Sequence, residues 1–548
     1  MVKKPRFPTV IRIVDHTVAT SRYITVSSRA MTAADKPHLP AVKLPTIKLD
    51  TTIAELFKRA KPQDAEKRLG LVLCGVNCGM DLSPDFPRNT KFLYQDSPFN
   101  TIPRQDLSNG NIELQKSLAM KYLSLIPQRD AFISGNAAVV LFNVDQTPEQ
   151  MEHDRHEAEA TISVLDSSQR PELIFCPGPA KIPVKEHHID KIAYKLALDG
   201  LQEYPLTIDL ETHWYLNSKA ALALSGLPTP RAEVIEVAGF GPTADACCDI
   251  CTTDRGELVF IPSKCTGSRG EWLREQTKLI IAAIERRSIP FVVKNQQTFG
   301  GAGTWVISTE KQKRDLLADF NGEDGVLRKL LSSVTKDNYH LKPGTFIISD
   351  LVKDPIGDYG LTFFVYDTGE ATFLAVSEQM IDGNNAWIGS TINYTHQDKL
   401  YKKFEPLMIK TAAWLSKHGY YGPAGMDILE TRTPGETDSH TGEQTAYHIV
   451  DLNVRTSGSL CLPLLRGHFT SRSMNCASSF SITVKGGRDE FIEKWKNEFE
   501  SGQMCILSWY EDSDAQESIA DVAVGAESEE QLQKQMKRVR DATEEVTF

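Results

Sequence analysis

The sequence predicts an α/β fold with a doubly wound layer near its beginning. The first observation is a set of continuous apolar runs, typical of parallel strands that are buried on both faces: GLVLCGVN, AAVVLFNVD and PELIFCPG. The second is that helical stretches such as IELQKSLAMKYLSLI lie between these runs, and alternating strands and helices favour a helix-covered sheet. The third is a later hairpin, LTFFVYDTGEATFLAVSEQ, which adds antiparallel strands.

The length and charge of the chain exclude several classes of protein. The 548 residues suffice for three or four domains of roughly 100–200 residues each. A net charge of −11 argues against a basic surface that binds nucleic acid. We find no apolar run of the roughly 20 residues that span a bilayer. Pro8, Arg12 and Asp15 interrupt the first apolar stretch, which therefore does not read as a secretory signal. We expect a cytoplasmic protein without membrane or nucleic-acid partners.

The elements follow one another in a clear order. Residues 1–50 are rich in proline and basic residues and predict an extended lead-in, and a domain is expected to begin near residue 70. Residues 211–237 predict a helix that ends at Gly226, a turn and a strand. The next predicted elements are a helix in SRGEWLREQTKLIIAAIERR, the strand FVVK, helices in EKQKRDLLADF and GVLRKLLSSV, the strand FIISDLV, the hairpin, a helix in HQDKLYKKFEPLMIKTAAWLSKHG and the strand AYHIVDLNV.

The ten cysteines do not indicate a disulfide scaffold in a chain of this length. Cys248 and Cys251 have CxxC spacing, with Cys247 beside them and Cys265 further along. A zinc site needs four ligands, and no second CxxC or HxxxH follows nearby. Ordinary buried or loop thiols are therefore favoured over a metal or redox role.

A lysine and a glycine-rich loop predict a phosphate site in FVVKNQQTFGGAGTW, residues 291–305. Glycines after a strand let backbone N–H groups approach phosphate oxygens. Lys294 is the last residue of an apolar run, and burying its charge costs free energy unless an anion lies beside it. The loop is neither a Walker motif, because no GK[ST] follows, nor a dinucleotide fingerprint, because the third glycine is missing. The alternatives to a phosphate site are that GGAG is an ordinary tight turn and that Lys294 is a lysine at the edge of the sheet whose amine reaches solvent.

Two carboxylates and an amide predict a metal site further along the chain. GYYGPAGMDILE presents Asp427, and YHIVDLNVRTSGS presents Asp451, Asn453 and Arg455 at alternate positions. Alternate residues of a strand face one side. Two carboxylates and an amide oxygen suit Mg²⁺ shared with nucleotide phosphates. Arg455 could hold a carboxylate or a phosphoryl group.

Taken in order, these motifs resemble the ATP-grasp superfamily over roughly residues 210–480. VVK with the GGAG loop, FIISDLV, GYYGPAGMD and the D-x-N-x-R run carry the resemblance. The family's last motif more often begins with Glu, so Asp451 is one methylene shorter. The resemblance implies a pre-ATP-grasp α/β domain and a two-lobed ATP-grasp domain with antiparallel sheets. The implied boundaries are 1–69 for an N-terminal extension, 70–210 for the first domain, 211–290 and 291–480 for the two lobes, and 481–548 for a C-terminal segment packing on them.

The resemblance also implies a role for each matching residue. Asp427, Asp451 and Asn453 would hold Mg²⁺, with Mn²⁺ as an alternative ion, and Arg455 would bind the acyl group. The residues implied to contact ATP are Lys219 and Lys294 at the phosphates, Gly300, Gly301, Ala302, Gly303 and Thr304 in the covering loop, Asp350, Leu351 and Val352 at the adenine, and Asp358 at the ribose.

The implied reaction is ATP-dependent ligation of a small-molecule or amino-acid carboxylate to an amine through an acyl phosphate. A phosphotransferase or carboxylate–thiol ligase of the same fold is an alternative, and so is a non-catalytic nucleotide-binding protein. The GFGPTA stretch at residues 239–244 only weakly suggests an NAD-dependent enzyme, because the third glycine is missing. Family members are often dimers, but no feature of the sequence reports an interface.

Overall fold

The computed structural model describes residues 42–74, 81–96, 109–144, 147–240, 248, 261–299, 303–322, 325–381, 387–432, 445–512 and 516–545. Its helices are α1 (Ile53–Ala60), α2 (Asn109–Phe132), α3 (Pro148–Ser163), α4 (Leu210–Leu216), α5 (Lys219–Leu224), α6 (Ser268–Arg286), α7 (Glu310–Asn321), α8 (Val326–Ser332), α9 (Gln397–Lys417), α10 (Cys461–Leu464), α11 (Arg466–Thr470), α12 (Arg488–Lys494), α13 (Lys496–Glu500) and α14 (Glu529–Asp541).

The strands are β1 (Leu69–Val72), β2 (Gln95–Asp96), β3 (Ala138–Phe142), β4 (Glu172–Cys176), β5 (Lys191–Tyr194), β6 (Ala232–Ile235), β7 (Phe291–Asn295), β8 (Thr298–Phe299), β9 (Thr304–Ile307), β10 (Phe346–Asp350), β11 (Gly357–Val365), β12 (Ala371–Ile381), β13 (Trp387–Asn393), β14 (Gly422–Arg432), β15 (Thr445–Asn453), β16 (Cys476–Lys485), β17 (Met504–Asp512), β18 (Glu517–Ala526) and β19 (Glu544–Glu545).

The first domain is built on a parallel sheet in the order β4-β3-β1-β5. Its two central strands, β1 and β3, are apolar throughout because both faces of the sheet are covered. Leu71 joins a cluster with Leu56 of α1, whereas the next residue, Val72, joins a cluster with Leu123 of α2. The predicted α/β class with a parallel layer is confirmed.

Part of the predicted N-terminal extension packs on this domain. Helix α1 begins with a capping box in which Thr52 and Glu55 bond each other's backbone N–H groups. Ile47 and Leu49, ahead of the helix, are each only 2% exposed. The extended lead-in predicted for residues 1–50 is therefore packed against the core where the structure describes it, from residue 42 onward.

A four-stranded antiparallel sheet in the order β6-β10-β7-β9 forms a second layer with α6, α7 and α8, here called the small-sheet lobe. Phe291, Val293 and Ile348 point to the helices and pack in one cluster with Ile280 of α6. The alternate residue Lys294 points to the opposite face. A boundary between residues 290 and 291 would run through this sheet, because β6 belongs to it.

The remaining long strands form a large antiparallel sheet in the order β15-β14-β11-β12-β13-β16-β18-β17, with β19 beside β16. Helix α9 covers one face, where Phe404 packs with Leu361 and Met426. Strands β17 and β18 extend the sheet, and β16 spans a boundary between residues 480 and 481. The C-terminal residues thus continue this sheet rather than only lying against it.

The helix predicted to run up to Gly226 is interrupted, so that prediction is corrected. It is two helices, α4 and α5, separated at Asn217 and Ser218. The Ser218 hydroxyl accepts a hydrogen bond from Ala221 N and caps α5. Lys219 becomes the first residue of the new helix. The interruption frees the Asn217 side chain for a distant partner.

Gly178, just after β4, should not tolerate a side chain. A Cβ there would lie 1.8 Å from the backbone oxygen of Asp85, which cannot move as a side chain would. We expect Gly178→Ala to destabilise the protein by about 1–3 kcal/mol, as overpacking does. Thermal unfolding should show a melting temperature several degrees lower. Gly322→Ala is the control, because its Cβ would meet nothing closer than 3.4 Å. Equal melting temperatures would contradict the prediction.

Candidate active site

Two carboxylates lie side by side at the edge of the large sheet. Asp427 of β14 is paired with Asp451 of β15, and the register shifts at the next step, where Ile428 pairs with Ile449. Val450 is thus the extra residue of a β-bulge. Bulges re-aim side chains and backbone groups, and they are common next to active sites.

Two lysines from outside the large sheet converge on this bulge. Lys219 Nζ lies 2.5 Å from Asp451 Oδ1, and Lys294 Nζ donates to the backbone oxygen of Val450 at 2.5 Å. Gln296 connects the two lysines, because its backbone oxygen accepts from Lys219 N at 2.9 Å, two residues beyond Lys294. The predicted lysines therefore meet the predicted carboxylates.

The ionisable side chains of the site shift one another's pKa values. Burial would raise the pKa of Asp451, but the charges of Lys219 and Lys294 outweigh burial and lower it. Burial and the charge of Asp451 raise the pKa of Asp427. Burial lowers the pKa of Lys294, although Asp451 opposes this. Asp451 is the ionised member of the pair, whereas the charges of Lys219 and Lys294 only partly offset the raised pKa of Asp427.

Asp427 has two further neighbours on the same face of the sheet. Gln379 Nε2 donates to Asp427 Oδ1 at 3.2 Å, while the buried Gln379 Oε1 has no hydrogen-bond partner among the described residues. Gly360 makes room for this amide, because a Cβ there would lie 2.2 Å from Gln379 Nε2. The charge of Asp358 contributes to the raised pKa of Asp427, and burial raises the pKa of Asp358 itself.

Arg455 is held just beyond the end of β15. Its guanidinium donates to Asn453 Oδ1 at 2.7 Å and to Asn217 Oδ1 at 2.8 Å. Asn217 Oδ1 also accepts from Val454 N at 3.0 Å. His213, one turn before Asn217 on α4, donates from Nε2 to the Val454 oxygen at 2.9 Å. Arg455 is 8% exposed and so meets the site in a fixed orientation.

The small-sheet lobe and the large sheet thus place paired cations and carboxylates where the motifs predicted them. The resemblance inferred from the motif order agrees with this geometry, and the roles of individual residues stay predictions.

The other predicted ATP contacts fall into three groups. Gly300, Gly301 and Ala302 lie outside the described residues. Gly303 has φ +68°, which favours glycine, and Thr304 pairs with Lys294 in the sheet, so these two residues lie beside that lysine. Asp350 ends β10, is exposed and forms an ion pair with Arg287, and the half-buried Leu351 and Val352 follow it.

No protein-family model matches the sequence, and no curated protein matches it. Among solved structures, the chain is similar to an ADP complex of purK, N5-carboxyaminoimidazole ribonucleotide synthetase, with a TM-score of 0.44 and 12% identity over 92% of this chain and 98% of that one. It is also similar to Thermotoga maritima phosphoribosylamine–glycine ligase (TM-score 0.41, 14% identity, 76% and 95% covered). A third similar structure is Campylobacter jejuni biotin carboxylase with β,γ-ATP, with a TM-score of 0.40 and 11% identity over 77% of this chain and 89% of that one. With identities of 11–14% and TM-scores below 0.5, these likenesses are distant.

The described residues also bear on the predicted metal site and on the cysteines near residue 248. They contain no cluster of three or more His, Cys, Asp or Glu side chains arranged for a metal ion. A metal at Asp427 and Asp451 would therefore also need amide or ligand oxygens. Cys248 Sγ lies 3.9 Å from Cys265 Sγ, and Cys247 and Cys251 lie outside the described residues. Within the same residues, no helix is both long and apolar enough to cross a bilayer.

Sequence reasoning missed Asn217 and Gln379. Asn217 carried a signal, since Asn-Ser inside an apolar helical pattern is a typical helix stop. Gln379 lies on a strand of alternating apolar and polar residues, and its sequence context carried no signal that would single it out. Its proximity to Asp427 follows only from the strand order, which brings β12 and β14 to either side of β11.

The buried His213 should make stability depend on pH. Burial, followed by the charge of Arg455, lowers the pKa of His213 to about 3. An unfolded histidine has a pKa of about 6.5, so between these values the unfolded state binds a proton that the native state does not. Stability is therefore lost as pH falls below 6.5, by about 2 kcal/mol at pH 5.

His213→Gln keeps a hydrogen-bond donor and removes the titration. We expect its melting temperature to fall less than that of the wild type between pH 7 and pH 5. His156→Gln, at an exposed position of α3, should behave as the wild type does. The same pH dependence in all three proteins would show that His213 does not titrate as described.

Proposed function

We propose that the chain is an ATP-dependent ligase that joins a small-molecule or amino-acid carboxylate to an amine through an acyl phosphate. The observation that supports this most directly is the meeting of Lys219 and Lys294 with Asp451 and Asp427. Lysines of this kind neutralise phosphate oxygens, and paired carboxylates hold a divalent cation shared with them.

The donor set fits Mg²⁺. Asp427 and Asp451 offer carboxylate oxygens, and Gln379 Oε1, which no described residue bonds, is a further hard oxygen beside them. Asn453 would contribute its amide oxygen, which currently accepts from Arg455. When bound, Mg²⁺ supplies positive charge to the phosphoryl oxygens of ATP.

The protein side chains have separate tasks in the proposed reaction. Lys219 and Lys294 bind the phosphates, and the segment from Gly303 to Thr304 covers them. Residues 350–352 accommodate the adenine. Arg455 holds the carboxylate substrate and then the acyl phosphate, because its planar guanidinium matches both groups. Such fixed charges lower the barrier by positioning and by electrostatic stabilisation.

The bonds balance without another reactant. A carboxylate oxygen attacks the γ-phosphorus of ATP, the bond to the β-phosphate oxygen breaks, and ADP leaves. The amine then attacks the acyl carbon, phosphate leaves with the C–O electron pair, and the amine loses a proton.

The first test is product formation from ATP and Mg²⁺ with pooled carboxylic acids, with and without pooled amines. ADP, AMP and phosphate are resolved by mass spectrometry, and hydroxylamine replaces the amine in a parallel reaction to trap an acyl phosphate as a hydroxamate. We expect ADP with acid and amine together, and at least a 100-fold loss in Asp451→Asn. Asp398→Asn, at an exposed position of α9, is the matched control and should retain activity.

Each other outcome contradicts the proposal in a distinct way. ADP with a phosphorylated hydroxyl product would indicate a phosphotransferase, and a thioester would indicate a carboxylate–thiol ligase. AMP would indicate adenylation. Saturable ATP binding without any product would favour a nucleotide-binding protein without catalysis.

A further inference from the structure

A buried ion pair of the first domain holds the residue that follows Arg455. Asp130 of α2 and Lys195, directly after β5, are each 2% exposed, and their Oδ2 and Nζ atoms lie 2.6 Å apart. The hydroxyl of Thr456 donates to the same Asp130 oxygen at 2.7 Å. Thr456 is itself 4% exposed. The contact therefore excludes water and joins the parallel-sheet domain to the site.

This arrangement is costly unless it is complete. A buried carboxylate needs hydrogen-bond donors and an opposite charge, and Lys195 and Thr456 supply them. Burial lowers the pKa of Lys195 to about 8, and the charge of Asp130 opposes that change. Buried ion pairs add little stability over apolar residues of the same shape, so their use here points to a requirement for orientation.

The backbone around Arg455 is thus held from two sides. Asn217 binds Val454 N and the guanidinium, while Asp130 binds the side chain of the next residue, Thr456. With the residues before and after it fixed, Arg455 has little freedom to turn. We call residues 454–456 the Arg455 loop.

We propose that Asp130 and Lys195 are positioning residues for Arg455, acting through the Thr456 hydroxyl. This rests on the proposed function, in which Arg455 binds the acyl group. The first domain would then contribute to the reaction without touching the nucleotide.

The test variant is Thr456→Val, which removes the hydroxyl, keeps the shape and leaves the ion pair intact. Thr456→Ser restores the donor. Thr161→Val is the matched control, because Thr161 is also buried and its hydroxyl bonds Arg488 of a different ion pair, Arg488–Glu157. Loss of the Thr161 hydroxyl should lower the melting temperature without affecting the Arg455 loop.

With wild-type hydroxamate formation established, we expect kcat to fall at least tenfold in Thr456→Val. The dissociation constant for MgADP should stay within twofold, because Lys219 and Lys294 are unchanged. Thr456→Ser should recover kcat to within threefold of the wild type, and Thr161→Val should retain it. A Thr456→Val kcat within twofold of the wild type, or one no lower than that of Thr161→Val, would overturn the proposal.

Amide hydrogen exchange gives a result even if no substrate is found. In the presence of MgADP, the peptide covering residues 452–460 should exchange at least tenfold faster in Thr456→Val than in the wild type and in Thr456→Ser. Unchanged exchange would overturn the positioning role. Faster exchange without any hydroxamate in the wild type would support the positioning contact and reject the ligase function.

Discussion

The pairing of two carboxylates on neighbouring strands is the constraint on which the rest of the site depends. Like charges opposite each other in a sheet destabilise it, and burial increases the cost. The protein offsets this with Lys219 at the start of a short helix and Lys294 on the small sheet. Because neither lysine belongs to the large sheet, the carboxylates are balanced only when the two layers sit together. In the proposed function, the same positive groups bind phosphate oxygens.

Local sequence pattern predicted much of this arrangement. The apolar run ending in Lys294 and the alternation of Asp451 and Asn453 are short-range signals. The structure has the strands β7 and β15 at these positions. The break between α4 and α5 was not predicted, although Asn-Ser is a typical helix stop, because the apolar helical pattern resumes after Ser218. Asn217 leaves the helix to bind Val454, 237 residues away, and no local pattern reports such a partner.

The neighbours of Asp427 show why strand order matters to the chemistry. The resemblance implied that Asp358 contacts the ribose, and that role stays a prediction. In the structure its charge acts on Asp427, since β11 pairs directly with β14 and sets Gly360 opposite Asp427. Gln379 reaches the same carboxylate across that glycine. The pairing register between neighbouring strands, rather than the spacing of residues along a single strand, determines which side-chain oxygens can share a cation.

The hydrogen bonds around Arg455 explain why a parallel-sheet domain is joined so closely to the large sheet. A free arginine side chain loses about 2 kcal/mol of rotamer entropy when it is fixed. If Asn217, Asn453 and the Asp130–Thr456 contact impose that order during folding, ligand binding does not have to. A pre-oriented guanidinium stabilises developing charge better than a mobile one, because no reorganisation accompanies the reaction. The buried pair of Asp130 and Lys195 is therefore best understood as part of the site's orientation rather than as a source of stability.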